Sequence, residues 1–186
     1  MKHLLKVGQA APDFTVQDVM GKKFTLSKQR PKSTLIVFLR YSGCPWCNLA
    51  LHRLTMEYPL LKKNNCEVIA FIQSTPENVK ENIYKRHARK PPFSIIADQQ
   101  KVTYKKYGVE NSVIAAARSI TKIPYWLQAV REHGYNQTTI DGDLFLVPAM
   151  FLVSGHSSKI LLASYSSSFY DHETFSAVYS KLGFVD

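Results

Sequence analysis

The stretch Thr34-Leu35-Ile36-Val37-Phe38-Leu39-Arg40-Tyr41-Ser42-Gly43-Cys44-Pro45-Trp46-Cys47 decides how this chain is read. It opens with a continuous apolar run, as a central strand buried on both faces should be. It ends in a CxxC, and the residues that follow, Asn48-Leu49-Ala50-Leu51-His52-Arg53-Leu54-Thr55-Met56-Glu57, favour a helix. A strand that hands two thiols to a helix N-terminus is the layout thiol redox chemistry needs. The thiolate is the nucleophile, and an ordinary Cys is mostly protonated at neutral pH. The first helical turn offers unpaired N–H groups and partial positive charge, which favour the anion. Cys44 stands at that turn, and Cys47, three residues on, shares its face. Pro45 suits the first helical position, where its missing N–H costs nothing. Cys44 is therefore expected to be the low-pKa thiol and Cys47 the more buried one.

Other uses of a CxxC fit less well. A structural zinc site needs a second pair of Cys or His, and the chain has only Cys66 besides these two. A c-type haem site needs His after Cys47, where Asn48 stands. An iron–sulfur cluster wants four thiolates. His52 as an extra ligand would still leave a tetrahedral metal one donor short, so it reads as the flank of a surface helix. No metal and no cofactor are expected. A purely structural pair stays open.

At 186 residues and 45% hydrophobic, the chain reads as one domain, 1–186, with a normal core. The formal net charge of +10 could suit nucleic acid, an anionic membrane or an acidic partner. The basic residues are dispersed, however, and no nucleic-acid motif is present, so neither nucleic acid nor membrane is expected, and an acidic redox partner is. Three cysteines do not make a disulfide framework. The start lacks the apolar core of a signal peptide, and no apolar stretch is long enough to cross a bilayer. A reducing cytoplasm fits, where a CxxC would cycle as a redox-active disulfide.

Outward from the motif, Phe14–Gln17 and Lys23–Leu26 read as a hairpin around Gly21. The helix from Pro45 should run to about Lys63 with a kink or break at Pro59. Glu67–Ile72 and Phe93–Ala97 read as strands. Ser74-Thr75-Pro76-Glu77 opens a helix to about His87, and residues 99–106 give one or two turns ended by Gly108. Residues 109–143 are irregular, with helical pieces at Ile114–Arg118 and Tyr125–Arg131 around Pro124. The apolar run Ile123-Pro124-Tyr125-Trp126-Leu127 must be buried somewhere, so this insertion should border the active-site end or form an oligomer contact. Leu144–Val153 reads as a strand with Pro148 inside it, Lys159–Ala163 as its return, and His172–Leu182 as a closing helix. Strands alternating with helices, then a hairpin and a helix, indicate an α/β fold around a mixed sheet. A proline within a strand removes a ladder donor. A cis Val147–Pro148 bond at the strand's start would resolve this and offer the backbone of Val147 to a sulfur substrate.

Three blocks resemble a known family. Val7-Gly8-Gln9-Ala10-Ala11-Pro12-Asp13-Phe14 is similar to the start of peroxiredoxins of the alkyl hydroperoxide reductase/thiol-specific antioxidant (AhpC/TSA) family. Phe38–Cys47 is similar to the active-site segment of peroxiredoxin-like redoxins, and Val147–Val153 to their late strand. The resemblance covers nearly the whole chain, most loosely over 109–143. It implies a thioredoxin-like fold, with Cys44 as the attacking cysteine, Cys47 as its resolving partner, and antioxidant oxidoreductase activity. Two positions depart from the family pattern: Tyr41 stands for the usual Thr or Ser, and Val147 for the usual Arg. Arg40, Arg118 or Arg131 could supply the lost cation. Two enzyme readings follow. Cys44 attacks a hydroperoxide and Cys47 closes the disulfide, or Cys44 attacks a protein or small-molecule disulfide and Cys47 releases it. A non-catalytic interaction domain is a third. A thiol reductant of thioredoxin, glutaredoxin or glutathione type would restore the dithiol, and a homodimer stays open. Trp46 would be an exposed lip over the dithiol, Tyr41 a pocket wall or a core residue, and Cys66 a core thiol.

Overall fold

The computed structural model describes residues 4–29, 31–170 and 173–183. Its centre is the expected apolar strand. β3 (Ser33–Leu39) is buried at every residue and lies in the middle of a five-stranded sheet. β4 (Cys66–Ile72) pairs with it in parallel, and β5 (Ser94–Ala97) pairs in parallel with β4. On the other side β6 (Ala149–Ser154) runs antiparallel to β3, and β7 (Ile160–Tyr165) antiparallel to β6. The hairpin β1 (Thr15–Gln17) and β2 (Lys23–Thr25) forms its own two-stranded sheet, turning at Gly21 with φ +91°.

The two faces of β3 feed different halves of the core, as a period of two demands. Leu35, Val37 and Leu39 pack with Leu49, Leu51 and Leu54 of α1 (Pro45–Lys63). Ile36 and Phe38 pack with Phe14, Phe71, Tyr104 and Phe151. α1 carries Pro59 inside it and continues to Lys63. α2 (Pro76–Val79) begins at Thr75, whose side chain accepts from the Asn78 N–H. The expected longer helix then widens: residues Lys80–Tyr84 form a π turn, with Lys85 N–H donating to Lys80 O. α3 (Val102–Lys106) is followed by Gly108 at φ +66°. Residues 109–143 hold α4 (Val113–Arg118), a 3₁₀ turn (Ser119–Lys122) and α5 (Ile123–His133), after which the chain is irregular to Pro148. α6 (Glu173–Leu182) closes the fold, and the expected start at His172 lies outside the described residues.

Two expectations about the late strand are corrected. Its ladder begins at Ala149, opposite Phe38, so residues 144–148 precede the strand instead of forming its first half. Val147–Pro148 is trans, with no cis peptide bond among the described residues. The reason is register: Pro148 sits just outside the ladder, so no strand donor is asked of it, while its carbonyl accepts from Ser166 N–H at 3.0 Å. The ordinary isomer, favoured by about 0.5–1 kcal/mol, meets every demand there.

Phe38 is fully buried, with the rings of Tyr104, Phe71, Tyr107 and Phe151 at 4.9, 5.0, 5.2 and 5.9 Å. Phe38→Ala should cost about 3–5 kcal/mol, because such a ring cage closes only partly over the lost side chain. Urea unfolding of the two proteins checks this; a loss under about 1 kcal/mol would mean the cage collapses around alanine.

Candidate functional site

β3 ends at Leu39, and the next eight residues carry the site. Cys44 is the N-cap of α1, with φ −79° and ψ 124°, and Pro45 occupies the first turn. The turn before it closes by Cys44 N–H donating to Tyr41 O at 3.2 Å. Both Cys44 and Cys47 are free thiols. Burial does not separate them, at 1% and 2% exposed, which corrects the expectation that Cys47 is the more buried one. Cys44 is covered because neighbouring segments fold over the helix end.

Charge separates them instead. Arg40 is itself 3% exposed, and its Nη1 lies 3.5 Å from Cys44 Sγ while its Nη2 donates to Leu144 O. Burial alone would push the Cys44 thiol up. The Cys47 thiol, the Arg40 charge and the backbone N–H groups of Cys47 and Trp46 outweigh it and hold the group at about 6 against its ordinary 9.0. Cys47 goes the other way, driven well above 9.0 by burial, by its hydrogen bond to Cys44 and by the charge there. The arrangement is one thiolate facing one thiol. Cys66 lies apart at the head of β4, raised by burial, with its Sγ 3.6 Å from Glu67 O.

Segment 109–143 is brought to this end of the sheet. Trp46 is half-buried, not an exposed lip: its Nε1 donates to Lys122 O at 3.0 Å, and its ring lies 5.8 Å from that of Phe169. Thr138 N–H donates to Gly43 O at 3.2 Å. A Cβ on Gly43 would meet Thr139 O at 2.4 Å, so only glycine permits this approach. Phe169 lies with its ring centre 3.6 Å from the Arg40 guanidinium, and its N–H donates to Ser119 Oγ at 2.8 Å. Trp46, Pro148 and Phe169 leave a cavity of about 20 Å³ between them, room for about one water. A cavity of about 900 Å³ lies by the hairpin turn between Met20, Tyr84 and Lys90 and touches none of these residues.

Of the expected supporting residues, Tyr41 is buried with its hydroxyl donating to Gln137 Oε1 at 3.3 Å. Its own ionisation is pushed up to about 12, by burial and then by the Cys44 charge. Val147 and Pro148 line a pocket of about 150 Å³ with Glu110 and Tyr165. Arg118 and Arg131 are exposed at the surface, so the cation beside the sulfur is Arg40. Two residues carried no sequence expectation of a role. Asn48, fully buried, donates through Nδ2 to Ser42 O and Cys44 O at 2.7 and 3.0 Å, and His87 Nε2 meets its Oδ1 at 2.8 Å. The available signal was Asn48 itself: an indifferent helix former one turn into a buried helix needs partners. Among the described residues no group of three or more His, Cys, Asp or Glu could hold a metal ion, and no helix is long and apolar enough to cross a membrane.

The AhpC/TSA family model matches residues 7–140. The chain is 30% identical over 110 residues to the thiol-disulfide oxidoreductase ResA of Geobacillus thermodenitrificans, covering 58% of this chain and 60% of that one. It is 30% identical over 102 residues to the chloroplastic peroxiredoxin Q of Populus jackii, covering 55% and 46%. The chain thus spans between about half and three fifths of the length of these curated relatives. The crystal structure of peroxidoxin BcpB from Mycobacterium tuberculosis superposes with a TM-score of 0.67 at 14% identity, covering 99% of this chain and 100% of that one. The fold is thioredoxin-like, a mixed sheet flanked by helices.

The pH dependence of the Cys44 thiolate follows with its sign. Its native pKa is held below 9.0, so the thiolate persists as pH falls and is lost only through about 6. Alkylation of Cys44 by iodoacetamide, mapped by peptide, should therefore fall through pH 6. In Arg40→Met the midpoint should move up by about one unit or more, since an opposite charge at this range is worth 1–3 units. Preferential labelling of Cys47 or Cys66 in the native protein would contradict the assignment.

Proposed function

Because the chain belongs to the AhpC/TSA family, we propose that it is a thiol-dependent antioxidant oxidoreductase that reduces hydroperoxides through a Cys44–Cys47 dithiol/disulfide cycle. The observation that carries this reading is the Arg40 guanidinium 3.5 Å from Cys44 Sγ at the head of α1. The Cys44 thiolate attacks the distal peroxide oxygen. The S–O bond forms as the O–O bond breaks, the sulfur is oxidised to sulfenic acid, and the leaving oxygen takes a proton to become an alcohol or water. Arg40 is the cation available to the developing negative charge. Cys47 then attacks the sulfenic sulfur, the disulfide forms, and the hydroxyl leaves as water with the proton of Cys47. A thiol reductant of thioredoxin, glutaredoxin or glutathione type supplies the two electrons that restore both thiols. Tyr41, Pro45, Trp46, Val147 and Pro148 shape the surroundings and take no proton.

A second reading, thiol–disulfide exchange on protein or small-molecule disulfides, is favoured by one feature. The Tyr41 hydroxyl, at the position of the family's peroxide-binding Thr or Ser, is committed to Gln137. The similarity to a thiol-disulfide oxidoreductase supports it as well. In both readings the chain acts as one redoxin domain over 1–186, with 109–143 as a helical insertion closing over the thiols. It works in a reducing compartment, the cytoplasm, and its +10 charge suits an acidic redox partner. Association into a homodimer is compatible with either.

Stopped-flow tryptophan fluorescence of the reduced protein tests the choice, because Trp46 lies beside both thiols. Hydrogen peroxide, an alkyl hydroperoxide and a protein disulfide are mixed in turn. Oxidation by none of them would remove both readings. With Tyr41 unavailable as a donor, the peroxide rate should lie on the order of 10²–10³ below the diffusional ceiling of ~10⁸ M⁻¹s⁻¹. A rate near that ceiling would show that Arg40 alone suffices and would remove the exchange reading.

Cys47→Ser should keep the first oxidation and stop turnover after one equivalent, leaving Cys44 as a sulfenic acid or mixed disulfide open to overoxidation. Mass spectrometry after one and ten equivalents of oxidant reads this. Undiminished multiple turnover in the variant would exclude Cys47 as the resolving thiol.

A further inference from the structure

His87 sits far from the CxxC in sequence, yet it is tied to that turn through one intermediate. Asn48, fully buried in α1, donates through Nδ2 to the carbonyls of Ser42 and Cys44 at 2.7 and 3.0 Å. These are the two carbonyls on either side of Gly43–Cys44, the turn that presents the sulfur. An amide side chain has nearly the same shape when flipped, so its partners decide which end faces which way. Both carbonyls only accept, so Nδ2 must face them. Oδ1 is then left pointing to His87 Nε2 at 2.8 Å, and the imidazole has to donate there. His87 Nδ1 has no hydrogen-bond partner, which fits a bare lone pair on that nitrogen.

The ring is held in place on its other side. It stacks on Tyr135 at 4.5 Å and 21°, and the Tyr135 hydroxyl meets His52 Nδ1 at 3.2 Å. The His87 N–H donates to Ile83 O at 3.0 Å. Burial, with the neighbouring His52, Arg86 and His133, pushes the imidazole down to about 3, so it stays neutral with one donor and one lone pair through the working pH range.

We propose that His87 is the positioning residue of the dithiol turn: its Nε2–H fixes the Asn48 amide, which holds the Ser42 and Cys44 carbonyls and so aims the Cys44 sulfur at Arg40 and the helix N-terminus. The inference rests on the reading of Cys44 as the attacking thiol. The Cys44 carbonyl is held a second time, by the Asn48 backbone N–H at 3.0 Å. The Ser42 carbonyl is the one that depends on the Asn48 amide, which keeps its negative end from turning toward the sulfur and opposing the thiolate. Without the imidazole donor, Oδ1 is a buried acceptor with no partner, and the amide can regain one only by releasing the carbonyls. His87 touches neither the sulfur nor the substrate. Its effect reaches the chemistry through Asn48 alone.

The test compares two variants of the reduced full chain. His87→Phe keeps an aromatic ring against Tyr135 and removes the donor. His87→Gln restores a donor, from its amide nitrogen. The readout is the titration of the Cys44 thiolate by its 240-nm absorbance and by mapped iodoacetamide labelling, with thermal midpoints measured alongside. His87→Phe should raise the Cys44 midpoint by about one unit, cutting labelling about fivefold at pH 6 and approaching tenfold further below it, and His87→Gln should return labelling to within about twofold of the native protein. A His87→Phe protein whose Cys44 titrates as in the native chain, whatever its thermal midpoint, overturns the proposal, as does a shift that Gln fails to reverse. Should His87→Phe not fold, nitrogen NMR of the native imidazole decides: a proton on Nε2 and none on Nδ1 at neutral pH supports the proposal, and the opposite tautomer or a charged ring defeats it. Neither readout needs turnover. A chain that reduces no peroxide or disulfide while Cys44 still responds to His87 refutes the function and leaves the positioning role standing. A Cys44 that titrates no lower than Cys66 in the native protein refutes both.

Discussion

A guanidinium buried to 3% exposure organises this molecule. A charge removed from water has to be matched by other charge or dipoles, and Arg40 draws its match from four directions. The Leu144 carbonyl takes Nη2, the Cys44 sulfur takes Nη1, and the rings of Phe169 and Tyr41 lie 3.6 and 5.1 Å from its centre. The four partners come from three parts of the chain, Tyr41 and Cys44 both from the turn after β3. The need to surround one cation therefore brings the segment before β6, the loop before α6 and the CxxC turn to the end of β3. The same charge makes a buried thiolate tolerable, and the thiolate returns part of the match. Cation and anion are each other's condition for being inside.

Residues 134–143, after α5, are held by hydrogen bonds instead of strand pairing. Asp141 accepts from Ser74 Oγ, from Thr75 N–H and from Asn78 Nδ2. Thr138 donates to Asn82 Oδ1, whose Nδ2 donates to Ser42 Oγ. A backbone with no ladder must find such partners where it is buried, and a network this connected rigidifies what it joins. The result is that the N-terminal region of α2 and its π turn, the CxxC turn and residues 138–143 form one polar cluster. Gly142 belongs to the same constraint, since a Cβ there would meet Gln73 O at 2.6 Å.

The departures from the family pattern make sense in this setting. A bulky Tyr41 occupies the position of a small hydroxyl residue, fills the core beneath the turn and sends its hydroxyl to Gln137. Val147, 8% exposed, lines the pocket of Glu110 and Tyr165. The cation has moved to the end of β3, four residues before the cysteine it serves.

Much of this was legible before the fold was known. The strand–CxxC–helix layout, the three parallel strands and the hairpin rest on local rules: continuous apolar runs, alternation and a proline-led helix start. They hold because each is decided by neighbours in sequence. The sequence also carried Cys44 as the thiol at the helix end, since a helix N-terminus acts on whatever residue caps it. It could not say that Arg40, among three candidate arginines, supplies the cation, nor that Cys44 is as buried as Cys47. It misjudged Pro148, because where a strand's ladder begins is set by its partner's register. Asn48, His87 and Phe169 were silent as well. Asn48 bonds locally to Ser42 and Cys44, but its tie to His87 spans 39 positions and the Phe169 contact with Arg40 spans 129, and only the packing of β3, α1 and the segments folded over them brings such residues within reach of one another.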